Sequence, residues 1–297
     1  MSVYFTYFMN SIPLILTVGT FANIYTNERH SDSTILCFAL LTVLPIFLLI
    51  HWTSNKGFLE RAFVLIQPWR KASNRELAEI EKLIAEVSTQ LRYPAPNVYI
   101  EEDDAINACA MGKATLCITS GALRALTKDE LKAVIGHEFA HFINNDSSNA
   151  LKKSSARLFV DGTIALLSKI TAITAKFLSI FSGLGLWMAV FVLGILLFVS
   201  LPLICFLLFM IPTSLIDRRL GAYIDAKVAR AAELKADAIG ASVTSPKTMI
   251  DALQKIQKAT GPARSTFFDR LLHSHPNTEY RIDALDLMTN SGHREAV

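Results

Sequence analysis

Three stretches of this chain run without Asp, Glu, Lys or Arg for long enough to cross a lipid bilayer. They are Val3 to Tyr25, Thr34 to Trp52 (TILCFALLTVLPIFLLIHW) and Phe177 to Ile216. A helix needs about 20 apolar residues to span the hydrocarbon core. The first two stretches therefore read as spans, the first of them weakened by Asn10 and Pro13. The third, of about forty residues, allows more than one arrangement. It can hold a hairpin of two short spans. Alternatively, Leu158 to Ser182 forms one span carrying Asp161, Lys169 and Lys176, and Leu184 to Pro212 forms the other. Gly183 and Gly185 then sit at the bend. We favour the second arrangement; hydropathy alone also permits a single long span. The chain as a whole is 52% hydrophobic and only 19% charged, with mean hydropathy +0.36, too apolar for an ordinary soluble domain.

A cleaved signal peptide needs a basic segment ahead of its apolar run. Arg29 is the first basic residue here, so a retained anchor is the expectation. Basic residues at span ends set orientation. Arg29 stands alone between the first two spans. Lys56, Arg61, Arg70, Lys71 and Arg75 follow the second, and Arg218 and Arg219 follow the last. The long polar blocks are thus expected to face the cytoplasm. A net charge of +3 is too small to point to a nucleic-acid partner. The four cysteines, Cys37, Cys109, Cys117 and Cys205, form no C-x-x-C pair and read as free thiols.

The polar material falls in two blocks, 54–153 and 217–297. In the first, Ser73 to Glu76 fits a capping box, followed by Leu77, Ile80, Leu83, Ile84, Val87 and Leu91 at helical spacing. Pro94 and Pro96 end that helix. Short β-type runs follow: VYI at 98–100, NACAM at 107–111 and TLCITS at 115–120. Thr127 to Glu130 is a second capping box. It opens a helix whose buried side is expected at Leu131, Val134, Ile135 and Phe142.

That helix carries VIGHEFAHFINND. His137 and His141 are four apart and share a face. Two imidazoles so placed can bind one metal ion, and zinc suits nitrogen and carboxylate ligands. Glu138 lies beside them, placed to take a proton from water and pass it to a leaving amine. H-E-x-x-H is a recognised metalloprotease pattern. A metzincin would have Gly and His where this chain has Asn144 and Ser147. An intramembrane protease would bury the motif in a span, whereas Lys128 to Lys132 and Asn144 to Asp146 flank it here.

The third ligand is sought in ARAAELKADAIGA, residues 229–241. Glu233 and Asp237 again share a helix face. In isolation such a pair reads as solvated acids; the upstream histidines favour Glu233 as ligand. Asp237 would then accept the outer N–H of a ligand histidine. If Glu233 meets His137 and His141, an even number of spans separates them, which favours the hairpin at 154–216.

On the segments ITSGALRALTKDELKAVIGHEFAHF, AELKAD and SHPNTEYRIDAL the chain resembles the HtpX-like family of membrane zinc metalloproteases, which also includes the CAAX prenyl proteases. The resemblance covers Arg70 to Leu287. It implies a zinc endopeptidase with one Zn2+ per chain, held by His137, His141 and Glu233, with Glu138 as general base. It also implies a substrate-binding strand at Asn107, Ala108, Cys109 and Ala110, able to pair with an extended peptide. Cys109 stands where the family commonly has an aromatic residue. His275 matches a histidine near the active site that steadies the tetrahedral intermediate. Arg281 is expected to pair with an acidic group near the zinc helix.

The expected fold is a mainly α membrane protein of about four transmembrane helices with a cytoplasmic α+β zincin-type catalytic domain containing a small β-sheet. The expected organisation is an anchor at 1–53, a first catalytic part at 54–153, a transmembrane hairpin at 154–216 and a second catalytic part at 217–297. The expected location is the inner membrane. The expected partners are a protein or peptide substrate and the lipid bilayer. Degradation of damaged membrane proteins is the expected role. A CAAX-type processing protease and a non-proteolytic membrane scaffold are the alternatives.

Overall fold

The computed structural model describes residues 48–49, 51–53, 55–181, 190, 194, 215–217, 219–220, 228–259 and 278–292. The expected span at Val3–Tyr25 lies outside them. Those at Thr34–Trp52 and Leu184–Pro212 lie almost wholly outside. No helix among the described residues is long and apolar enough to cross a membrane. The chain divides into two compact units. One comprises Met1–Trp52 and Lys153–Ile224, the other Thr53–Lys152 and Asp225–Val297. In the first, Arg157 Nε lies 3.4 Å from the buried Asp217 carboxylate. The second carries the H-E-x-x-H helix.

That second unit begins with helix α1 (Phe58–Ile66), then strand β1 (Trp69–Lys71) and helix α2 (Asn74–Leu91). Ser73 caps α2, and the reciprocal bond from the Ser73 N–H to Glu76 completes the capping box. Ile80, Ile84 and Val87 are buried at helical spacing. Strands β2 (Asn97–Glu101), β3 (Ala108–Met111) and β4 (Thr115–Thr119) follow. They match the three β-type runs, although β1 carries too few residues to show a pattern of its own.

The sheet order is β1-β2-β4-β3. β1 runs antiparallel to β2, β2 parallel to β4, and β3 antiparallel to β4, with Ala108 opposite Ile118 and Met111 opposite Thr115. β4 is buried along its whole length, as suits an inner strand covered on both faces. β3 is a terminal strand.

A short helix α3 (Ser120–Ala125) leads to α4 (Lys128–Ile143), whose Thr127–Glu130 capping box forms as expected. The sequence suggests one buried side for α4, but the structure buries it nearly all round. Ile135, Phe139 and Phe142 pack with Ile80, Val87 and Ile118. On the opposite side runs helix α6, described over 228–243. The two helices approach closely because both carry glycine at the contact. A Cβ on Gly240 would lie 2.7 Å from the Ala133 carbonyl and 3.3 Å from His137 Cβ. A Cβ on Gly136 would lie 2.5 Å from Val243 Cγ2.

Helix α5 (Asp146–Phe181) starts in this unit and continues into the other; it is helical through the first arm of the expected hairpin. Helices α7 (Pro246–Ala259) and α8 (Thr278–Gly292) complete the described chain. Met249, Ile250, Leu253 and Leu285 form a second apolar cluster with Ala133 and Ala241. Lys255 of α7 reaches Glu130 at 2.7 Å, across the start of α4.

Candidate metal centre

The last turns of α4 bring His137 and His141 together, with Nε2 atoms 3.2 Å apart. Helix α6 adds Glu233. Its Oε2 lies 3.4 Å from His137 Nε2 and its Oε1 3.5 Å from His141 Nε2. A tetrahedral zinc ion with ligands at about 2.0–2.1 Å sets those ligands about 3.3–3.4 Å apart. The imidazole separation is close to that, and Glu233 turns one carboxylate oxygen to each imidazole, so the set of two imidazoles and one carboxylate suits such an ion.

Around these donors lies a second ring of partners. Asp237, one turn beyond Glu233, places Oδ1 2.8 Å from His137 Nδ1. Arg281 of α8 donates to both oxygens of Asp237, Nε to Oδ2 at 2.7 Å and Nη2 to Oδ1 at 2.6 Å. Its third nitrogen, Nη1, lies 3.3 Å from Glu233 Oε2. All five groups other than His141 are buried: His137, Glu138, Glu233, Asp237 and Arg281. Such burial disfavours isolated charges, and the pairing offsets that cost.

The electrostatics follow from the same contacts. Burial disfavours a charged His137, yet the Asp237 and Glu233 carboxylates overcome it and raise its pKa to about 9. Burial likewise opposes ionisation of Asp237, but Arg281 and His137 hold its carboxyl below the usual range. A metal ligand must be a neutral imidazole at its coordinating nitrogen, so a metal ion bound here would displace a proton from this cluster.

Glu138 points to the sheet. Its Oε2 accepts the Ala110 N–H of β3 at 2.7 Å. The edge strand and the acid between the two histidines are thus in direct contact. Asn107 stands just before β3, its carbonyl accepting from Thr119 N–H and its side-chain oxygen from Ala108 N–H at 2.9 Å. Cys109 pairs in register with Cys117. Neither is in a disulfide, and both are buried.

The structure therefore brings together His137, Glu138, His141, Glu233 and Asp237. Of the strand residues Asn107, Ala108, Cys109 and Ala110, it sets Ala110 against Glu138. His275 lies outside the described residues. The acidic partners expected for Arg281 are Asp237 and Glu233. One residue escaped the sequence reading: Asp146, whose Oδ2 lies 3.5 Å from His141 Nδ1. Asn145 adopts φ 60, ending α4 in a left-handed residue and turning the chain so that Asp146 falls back beside His141. Paired asparagines after the last apolar residue of a helix are the signal for that turn.

The sequence is similar to those of known proteins. Residues 74–289 match the model of peptidase family M48. A relative described as "Protease HtpX homolog" from Streptococcus gordonii is 27% identical over 74% of this chain and 76% of its own length. One from Trichormus variabilis is 28% identical over 72% of this chain and 74% of its own. Another, from Persephonella marina, is 23% identical over 93% of this chain and 96% of its own. The matched region contains every donor described above, and the chain is an HtpX-like metalloprotease of peptidase family M48.

Proposed function

We propose that the protein is a zinc-dependent membrane endopeptidase that cleaves damaged or misassembled membrane proteins at cytoplasmic segments. The observation that carries the catalytic part is the spacing of His137, His141 and Glu233, with Glu138 between the histidines and against an edge strand. One Zn2+ per chain would be held by His137, His141 and Glu233. Asp237 fixes the His137 tautomer through Nδ1, Asp146 supports His141, and Arg281 orients Asp237 and Glu233 together.

Zinc so held would supply Lewis acidity for attack of water on a peptide carbonyl. Glu138 takes the proton of that water and delivers it to the leaving amine. The Ala110 N–H fixes one carboxylate oxygen, which leaves Oε1 to carry the proton. The substrate lies extended along β3, at Asn107 to Ala110. With Ala108 and Ala110 N–H engaged by Asn107 and Glu138, the strand offers carbonyl acceptors to the peptide. His275 acts as a donor to the developing oxyanion.

The membrane part rests on the charge-free stretches. The meeting of Glu233 with His137 and His141 supports an even number of crossings between them, hence a hairpin at 154–216. With two spans in the anchor at 1–53, this makes about four transmembrane helices. The catalytic parts at 54–153 and 217–297 then face the cytoplasm from the inner membrane, where the basic residues after the second and last spans place them.

The test is proteolysis of casein by protein purified in detergent without metal, with and without added zinc, beside Glu138→Gln. Zinc-dependent cleavage that disappears in the variant is the expected result. Absence of zinc binding would overturn the ligand assignment. Zinc bound at one per chain with no cleavage of any unfolded substrate would overturn the general protease role.

A further inference from the structure

Helix α1 has two faces with different surroundings. On the inner face Glu60 and Phe63 are buried. The Glu60 carboxylate accepts the backbone N–H groups of Lys113 and Ala114, both at 3.0 Å. These bonds tie α1 to the turn joining β3 and β4. Gly112 in that turn has φ 64, and a Cβ there would strike the Glu60 side chain. The buried acid therefore belongs to the turn, and it fixes which face of α1 looks outward.

The outward face is apolar. Phe58 is 63% exposed, Leu65 84% and Ile66 60%. At about 100° per residue, Phe58 and Leu65 point within about 20° of each other, with Arg61 and Ile66 on either side. A bare strip of large apolar side chains marks a binding surface more often than an accident.

Charge identifies the occupant. Between Thr53 and Arg75 the only acid is Glu60, which is buried under the turn; of the basic residues there, Arg70 is paired with Glu76 and Glu102, beside Lys56, Arg61, Lys71 and Arg75. Lys56, Arg61 and Lys71 are exposed. The strip also follows directly on the charge-free stretch Thr34–Trp52. An exposed apolar strip that carries Arg61, has Lys56 just ahead of it and lies next to a segment read as a span, has the composition of a helix lying in an anionic membrane surface.

We propose that α1 lies in the bilayer surface, with Phe58, Leu65 and Ile66 at the headgroup–acyl boundary and Lys56, Arg61 and Lys71 on lipid phosphates. This rests on the membrane reading given under Proposed function. Through Glu60, an embedded α1 also holds the β3–β4 turn, and with it the strand whose Ala110 N–H binds Glu138. The lipid surface would thus set the height of the substrate strand.

The experiment uses the full chain in vesicles of phosphatidylcholine with a minority of phosphatidylglycerol and a photoactivatable phospholipid. Labelled peptides are mapped by mass spectrometry after illumination, beside a parallel labelling with a water-borne carbene reagent. The expected result is lipid labelling of both the Thr34–Trp52 stretch and α1. Labelling of Thr34–Trp52 without α1 overturns this inference and leaves the membrane reading standing. Labelling of neither overturns both. An α1 reached by neither reagent overturns the lipid assignment in favour of a protein partner or a second copy.

Leu65→Glu, at a side chain 84% exposed, gives the second arm. Lipid labelling of α1 should be lost, while zinc stoichiometry and casein cleavage in detergent stay unchanged. Undiminished lipid labelling of α1 in that variant overturns the proposal.

Discussion

Glu138 shows how closely the chemistry depends on single atoms. Its Oε2 is held by Ala110 N–H at 2.7 Å, a bond that a glutamine carbonyl also accepts. Glu138→Gln should therefore keep the fold and the zinc, and lose about 10²–10⁴-fold in cleavage rate as a general base is lost. Metal content and turnover measured on one preparation would separate the two effects. Asp237 works through His137 and Arg281. Asp237→Asn still accepts from His137 Nδ1–H but loses the two-oxygen grip on Arg281. Zinc affinity, read by competition with a chelator, should fall about 10–100-fold; an unchanged affinity would sink the orienting role. The histidine and carboxylate identities are legible from spacing, since four residues on a helix return a side chain to the same face. Asp146 is not, because its place beside His141 depends on the left-handed turn at Asn145.

At the scale of elements, local signals and close packing act together. The capping box that starts α2 does more than cap: Glu76 also binds Arg70 of β1, at 2.7 and 2.8 Å. The Arg70 guanidinium and the Ser73 hydroxyl pull the Glu76 pKa from 4.5 to about 2. A carboxyl depressed on folding stabilises the native state above its unfolded pKa and ceases to do so as pH falls through the folded one. Stability should thus lose a component as pH falls from 4.5 to about 2, and Glu76→Gln should remove that pH dependence. Circular dichroism against pH would show this. The α4–α6 crossing depends on glycine in the same way that the cap depends on serine. In Gly240→Ala the new methyl meets the Ala133 carbonyl, a backbone atom that cannot swing aside. The expected cost is about 1–3 kcal/mol of stability, with a weaker zinc affinity because α6 carries Glu233. Thermal unfolding and a zinc titration would test both; a change in neither would refute the close-approach account. The caps, α2, α4 and the three β-type runs could all be read beforehand, since each is written within a few consecutive residues.

At the scale of the molecule, the candidate centre is assembled from helices far apart in the chain. Arg281 lies 144 residues beyond His137, and it reaches Asp237 because α8 docks on α7 through Leu285, Met249, Ile250 and Leu253. Leu285 is 1% exposed and belongs to that apolar cluster. Leu285→Ala should cost about 2–5 kcal/mol and weaken zinc binding as Arg281 loses its support. Differential scanning of metal-free and zinc-loaded protein would reveal the coupling; a stability loss with full zinc affinity would show that α8 is a brace for the core alone. The sequence by itself determined which residues are the candidate metal donors, their order and the helix that presents two of them. It did so because helical and β periodicities, caps and the H-E-x-x-H spacing are local properties. Only the tertiary structure decided which acids Arg281 binds, which edge N–H holds Glu138 and how closely α6 approaches α4. Those contacts are set by packing between elements distant in sequence, where no short pattern records which side chains will meet.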